Sequence, residues 1–241
     1  MSNEQAMSTG SLPSTQTGPR QTSRGRGILY IVSAPSGAGK TTLCKQVVTS
    51  VVGLWHSVSY TTRGPRPGES HGREYFFIDE KVFQGMVEQN EFVEYAHVHG
   101  HWYGTPRKPL LDKMEAGVDV LLEIDVQGAL QIKNSFTDAV SIFILPPSLD
   151  SLRTRLLNRG SDSREEIARR LKKVKEEILC FREYDYIVCN DDLARSLPEL
   201  QSIFLAERRK TNRVNQQWVE DNFINDRKAE LVAQEPSTTS S

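Results

Sequence analysis

Apolar side chains along the 241-residue chain gather in short unbroken runs, separated by stretches where they recur every three or four positions. The runs are Ile28-Leu29-Tyr30-Ile31-Val32, Val120-Leu121-Leu122-Glu123-Ile124, Val140-Ser141-Ile142-Phe143-Ile144-Leu145 and Tyr186-Ile187-Val188-Cys189. A run of this kind suits a parallel strand covered on both faces, because neither side of its pleat meets water. The helical period predicts helices over 41–52, 106–116, 148–158, 163–181 and 197–210. Strands alternating with helices predict an α/β fold built on a doubly wound parallel sheet. Residues 56 to 105 break that rhythm with Gly, Pro and alternating aromatic segments, which predicts a small inserted module.

Composition alters this picture mainly at the ends. Residues 1 to about 25 are rich in Ser, Thr, Gln, Gly and Pro with almost no large apolar side chains. Such a segment cannot offset its own ordering entropy, so a disordered tail is expected. It lacks the apolar stretch of a secretory signal and carries arginines only at Arg20, Arg24 and Arg26, which makes the cytoplasm the expected location. From about Ala229 the same composition returns, and 213–241 reads as an extension, partly disordered. No apolar run approaches the roughly 20 residues of a membrane-spanning helix, so no span is expected. Lys+Arg 30 against Asp+Glu 31 gives a net charge of -1, too little to draw the chain onto nucleic acid. Any anion site must be local. Cys44, Cys180 and Cys189 are too scattered for a zinc or redox pair and read as free thiols.

Such a local site follows the first strand. Ala34-Pro35-Ser36-Gly37-Ala38-Gly39-Lys40-Thr41-Thr42 leads into a helical segment with Leu43, Cys44, Val47, Val48, Val51 and Val52 on one face. A strand, Gly-rich loop and helix in this order let backbone N–H groups converge on phosphate oxygens at a positive helix end. Lys40 then serves the β and γ phosphates, and the Thr41 hydroxyl is placed to ligate Mg²⁺. Ala34 stands where the usual pattern has glycine. Glu123 and Asp125, two apart at the end of the second run, are expected on one side of a strand exit, beside the metal.

The loop alone leaves GTPase, ATPase and kinase open. No Asn-Lys-x-Asp segment occurs, which argues against a switch GTPase. Instead Ser59-Tyr60-Thr61-Thr62-Arg63-Gly64-Pro65-Arg66-Pro67-Gly68-Glu69 is followed by Gly72-Arg73-Glu74-Tyr75-Phe76-Phe77. Two arginines three apart in a stiffened turn can grip one phosphate from two directions, with Tyr75 as a neutral donor. Further on come Asn90-Glu91-Phe92-Val93-Glu94, Tyr103-Gly104-Thr105, Asp125-Val126-Gln127-Gly128 and the segment from Arg155 to Gly160. In order and spacing these residues closely resemble the guanylate kinase family, from about Gly27 to about Lys210.

The resemblance implies a P-loop nucleoside monophosphate kinase fold that phosphorylates GMP from MgATP. It divides the chain into a core (26–58, 106–152 and 171–212), a GMP-binding module (59–105) and a helical lid (153–170). It assigns Arg63, Arg66, Tyr75 and Tyr103 to the GMP phosphate, and Ser59, Glu94, Thr105 and Asp125 to the guanine. It assigns Arg155, Arg159 and Arg170 to ATP and the transferring phosphoryl group and Asn190 to the adenine side of ATP; residues 34–42 for ATP, Lys40 for the transferring group, and Thr41 with Glu123 near the metal, follow from the phosphate loop and the strand end themselves. Glu123 stands where the family commonly has aspartate. Two alternatives stay open: a non-catalytic guanylate-kinase-like interaction domain, and a kinase for another nucleotide. His97, His99 and His101 alternate, but Gly100 interrupts them and no supporting shell is evident, so they do not read as a metal site; Arg208-Arg209-Lys210 is a basic run of the kind a helix C-terminus favours.

Overall fold

The computed structural model describes residues 25–157 and 174–224, with the side chains of 155–157 and 222 left out. All but the last residue of the expected tail (1–25) and most of the expected lid (153–170) therefore lie outside the described residues, as does the chain beyond 224. Described residues up to Val214 form one compact unit, while those from Asn215 belong to another. The elements of the first unit are β1 Leu29–Ser33, α1 Lys40–Ser50, β2 Leu54–His56, β3 Tyr60–Thr61, β4 Phe76–Phe77, α2 Glu80–Glu88, β5 Phe92–Val98, β6 His101–Pro106, α3 Arg107–Glu115, β7 Asp119–Glu123, α4 Val126–Ser135, β8 Val140–Leu145, α5 Leu149–Leu157, α6 over 174–179, β9 Tyr186–Cys189 and α7 Leu193–Glu207. The second holds a short α-turn, Gln216–Val219, running into the π-helical Glu220–Ile224.

The main sheet has the order β2-β7-β1-β8-β9, every pair parallel, with Tyr30 beside Leu121 on one side and Val140 on the other. Alternation along β1 sorts the core into two layers. Tyr30 and Val32 pack with Leu43 and Val47 of α1 and Leu200 and Phe204 of α7. Leu29 and Ile31 pack with Leu110 and Met114 of α3 and Ala129 and Ile132 of α4. Covering both faces explains why the central strands are apolar through most of their length, with polar residues at Ser33, Asp119 and Glu123 near the strand ends and at Ser141. At the opposite end from the strand exits, Asp119 accepts from Ile28 N at 2.8 Å and from Arg208 Nε at 2.6 Å, all buried. Arg208 is thus a structural ion pair within the fold, and Lys210 pairs with Glu207 at 2.6 Å.

Residues 60 to 106 form a second, four-stranded sheet of order β4-β3-β6-β5, against which α2 buries Phe83 on Phe92 at 4.7 Å between ring centres. β5 and β6 join through His99 and Gly100, both left-handed at φ 51 and 83, the two-residue turn that matches strand twist. The histidines are structural here: His97 packs on Trp102 at 4.9 Å, His99 forms the turn, and no metal-holding cluster of three or more His, Cys, Asp or Glu side chains occurs among the described residues. The open edge of β5 meets α4, where Gln131 Oε1 accepts from Tyr95 N at 3.3 Å and its Nε2 donates to Tyr95 O at 2.8 Å.

The four expected strands are present, and β2, α2 and α4 are additions. Helix α7 begins at Leu193 rather than 197, because Asp192 caps Ala194 N at 2.9 Å and Pro198 lies within the helix instead of near its start. Among the described residues no helix is long and apolar enough to cross a membrane.

Candidate active site

The carboxyl ends of β1 and β7 face the small sheet across a cleft of about 390 Å³. Ala34 to Thr42 line one wall; Ser59, Arg66, Tyr75, Glu94 and Tyr103 line the other, with Glu123 and Asp125 at the base. The loop's shape follows from its glycines: Gly37 and Gly39 sit at φ 91 and 90, where a side chain would be strained. Gly39 caps α1, so its open N-terminal amides face the cleft. Lys40 Nζ donates to Ile124 O at 2.8 Å, which holds it over the strand exit.

Glu123 closes β7, and one carboxylate oxygen accepts from the Thr41 hydroxyl while the other lies 3.7 Å from His56 Nε2. Burial lowers the His56 pKa, so the ring is neutral there at ordinary pH. A hydroxyl and a carboxylate oxygen beside a phosphate loop form the hard-oxygen donor set that suits Mg²⁺, so these residues fit the expected ion. Asp125 is not on the strand, which ends at Glu123; it caps α4, accepting from Gln127 N at 2.7 Å. Glu94 and Thr105 are cross-strand partners, and the Thr105 hydroxyl donates to Glu94 Oε1 at 2.5 Å. Burial, opposed by that hydrogen bond and reinforced by Asp125, pushes the Glu94 pKa up to about 7. Tyr75 is raised above its ordinary value, chiefly by burial, and remains a neutral donor; its ring meets Tyr103 edge-on at 5.8 Å.

Three expected residues stand elsewhere. Arg63 is folded onto Glu69, with its NH2 group 2.9 Å from both carboxylate oxygens, and its guanidinium lies over Tyr75 and Phe77. Glu69 also accepts from Arg66 N at 2.8 Å, so it organises the arginine turn from within. Thr105 is buried behind Glu94. Asn190, expected on the adenine side, is buried and donates from Nδ2 to Ala38 O at 2.7 Å while accepting from Ser196 Oγ at 3.0 Å. It braces the phosphate loop from behind, because β9 ends just under it. Arg159 and Arg170 lie outside the described residues, and so does the Arg155 side chain. The sequence reading missed Glu177 of α6, which accepts from Ser36 N at 3.3 Å, and His56; neither has a local signal.

A phosphate loop facing a separate acceptor wall at the switch point of a parallel sheet defines a P-loop phosphotransferase of the nucleoside monophosphate kinase type. The guanylate kinase family model matches residues 26–207. The chain is 52% identical over 188 residues to the guanylate kinase of Geobacter sulfurreducens, covering 78% of this chain and 93% of that protein. It is 49% identical over 192 residues to that of Legionella pneumophila, covering 79% and 92%. The crystal structure of guanylate kinase from Anaplasma phagocytophilum superposes with a TM-score of 0.71 at 33% identity, covering 83% of this chain and 97% of that one. The chain belongs to the guanylate kinase family.

Proposed function

We propose that this chain transfers the γ-phosphoryl group of ATP to GMP, giving ADP and GDP, with Ala34 to Thr42 and Lys40 holding the donor and the small sheet presenting the acceptor. The observation that carries this reading is a buried carboxylate, Glu94, facing the phosphate loop across one cleft. Guanine offers N1–H and N2–H on one edge, and a carboxylate accepts both; adenine presents an acceptor at N1 and would leave the charge unpaired. Asp125 and Ser59 flank Glu94, while Arg66, Tyr75 and Tyr103 serve the GMP phosphate.

The reaction is in-line. A phosphate oxygen of GMP forms a bond to the γ-phosphorus as the bond to the β–γ bridging oxygen breaks, and ADP leaves with that electron pair. The acceptor is already an anion, so no strong base is required. Lys40 and the α1 amides neutralise charge on the donor side, and Arg66 does so on the acceptor side. Thr41 and Glu123 would hold the Mg²⁺ that arrives with ATP, and that ion would supply further charge neutralisation at the phosphates. Arg155, Arg159 and Arg170 are assigned to the phosphoryl group by resemblance alone. ADP formation measured with GMP, AMP, CMP and UMP as acceptors tests the reading. Turnover with GMP at least about a hundredfold above the others is expected; no turnover with any acceptor would make the chain a binding module.

A further inference from the structure

Helix α4 carries a glycine, Gly128, in its first turn. Glycine inside a helix is disfavoured against alanine because it has more backbone freedom to lose. Nor does backbone conformation ask for it, since Gly128 is not among the glycines at positive φ. Space does. A Cβ placed on Gly128 would lie 3.0 Å from Glu94 Cδ and closer still to Oε2, inside any van der Waals distance, with Ile124 Cδ1 at 3.5 Å.

Glu94 has little room to withdraw. Its other oxygen holds the Thr105 hydroxyl at 2.5 Å, and the residue is only 4% exposed. The strand beneath it is fastened to the same helix: Gln131, one turn beyond Gly128, bonds both backbone groups of Tyr95. β5 cannot back away from α4 without breaking those two bonds. An added methyl must therefore be absorbed by the carboxylate itself.

The geometry points to Gly128 as a specificity-positioning residue of the acceptor site, whose missing side chain sets where Glu94 presents its oxygens. This rests on the reading of Glu94 as the group that accepts from the guanine edge. Two parallel N–H···O bonds are directional, so turning the carboxylate aside weakens both at once. The donor loop lies on the opposite wall and keeps its shape. Loss should therefore fall on GMP rather than on ATP.

The test uses Gly128→Ala, Glu94→Ala and their combination in the full chain. Gly128→Ala should raise KM for GMP about tenfold to a hundredfold, the scale of a misplacement near 1 Å, with KM for ATP within about twofold. Melting without nucleotide gives an independent reading. Gly128→Ala should lower Tm in the native background, where the methyl meets the carboxylate. It should raise Tm in the Glu94→Ala background, where the methyl enters vacated space and only the helix preference remains. Equal Tm shifts in both backgrounds would overturn the inference, as would an unchanged GMP KM in Gly128→Ala when Glu94→Ala itself loses GMP. If Glu94→Ala leaves GMP KM unchanged, the reading of Glu94 has failed and the inference falls with it, whereas the Tm comparison still reports the packing. Should Gly128→Ala alone not fold, the double variant decides: a Tm above that of Glu94→Ala supports the inference, and failure to fold there too overturns it.

Discussion

The elevated Glu94 pKa makes acceptor recognition pH-dependent in a way that can be separated from everything else in the cleft. Only the carboxylate form accepts two N–H groups, and with a pKa of about 7 half of the free protein holds it at neutral pH. At pH 6 the competent fraction is about one tenth and at pH 8 about nine tenths, so apparent GMP affinity should improve about tenfold across that interval. GMP's own phosphate titrates nearby, and Glu94→Gln removes the protein's share while leaving the ligand's. The amide accepts from one guanine N–H but turns its own N–H₂ toward the other, a mismatch of about 2–3 kcal/mol, or roughly 30- to 150-fold in affinity at pH 8.

Stability should move the opposite way. The unfolded carboxyl releases its proton near 4.5 and the folded one near 7. Between those values the folded state binds more protons, so unfolding free energy falls as pH rises, by something on the order of 3 kcal/mol over the window. Calorimetric GMP titrations and thermal melts of both proteins from pH 5 to 8 measure both slopes. Parallel pH profiles for wild type and Glu94→Gln, in binding and in melting, would refute the reasoning.

Three further outcomes are expected. Lys40→Ala should cut turnover by about 10²- to 10³-fold while calorimetric GMP affinity stays within a few-fold; near-normal turnover would remove Lys40 from the transfer step. Arg66→Ala should weaken GMP by about 10- to 100-fold and ATP little in steady-state titrations, since it loses a charge-assisted bond on one wall only; equal losses would contradict that division. Arg208→Met should leave the Asp119 carboxylate buried without its partner and lower stability by about 3–5 kcal/mol in urea denaturation, with activity retained in the cold.

What was legible in the sequence was what is local in it. The phosphate loop announces itself because strand, glycines, Lys40 and α1 are contiguous, and β1, β7 and β8 because burial on both faces leaves their middles almost wholly apolar; β9, at the sheet edge with Ile187 exposed, shows only as the short run Tyr186-Ile187-Val188-Cys189. α4 was missed because its buried positions are Gly128, Ala129 and Ile132, too small and too few to stand out as an apolar face. The contacts that tune the site join residues far apart in the chain. Lys40 rests on Ile124, Asn190 on Ala38 and Ser36 on Glu177, and no periodicity encodes such pairings. Arg63 was read as a free grip because Glu69 is equally consistent with an exposed turn; only the fold brings the two within 2.9 Å.

The amide of Gln131 has a mechanical consequence. Strand edges with free main-chain groups recruit other strands, and here a single side chain occupies both groups of Tyr95, discouraging intermolecular pairing at that point. The same two bonds couple the acceptor sheet to the helix that begins at Asp125. Any hinge that swings the small sheet against the phosphate loop must either shear them or carry α4 with it. Amide exchange at Tyr95 with and without nucleotides reads whether those two bonds hold when substrates bind.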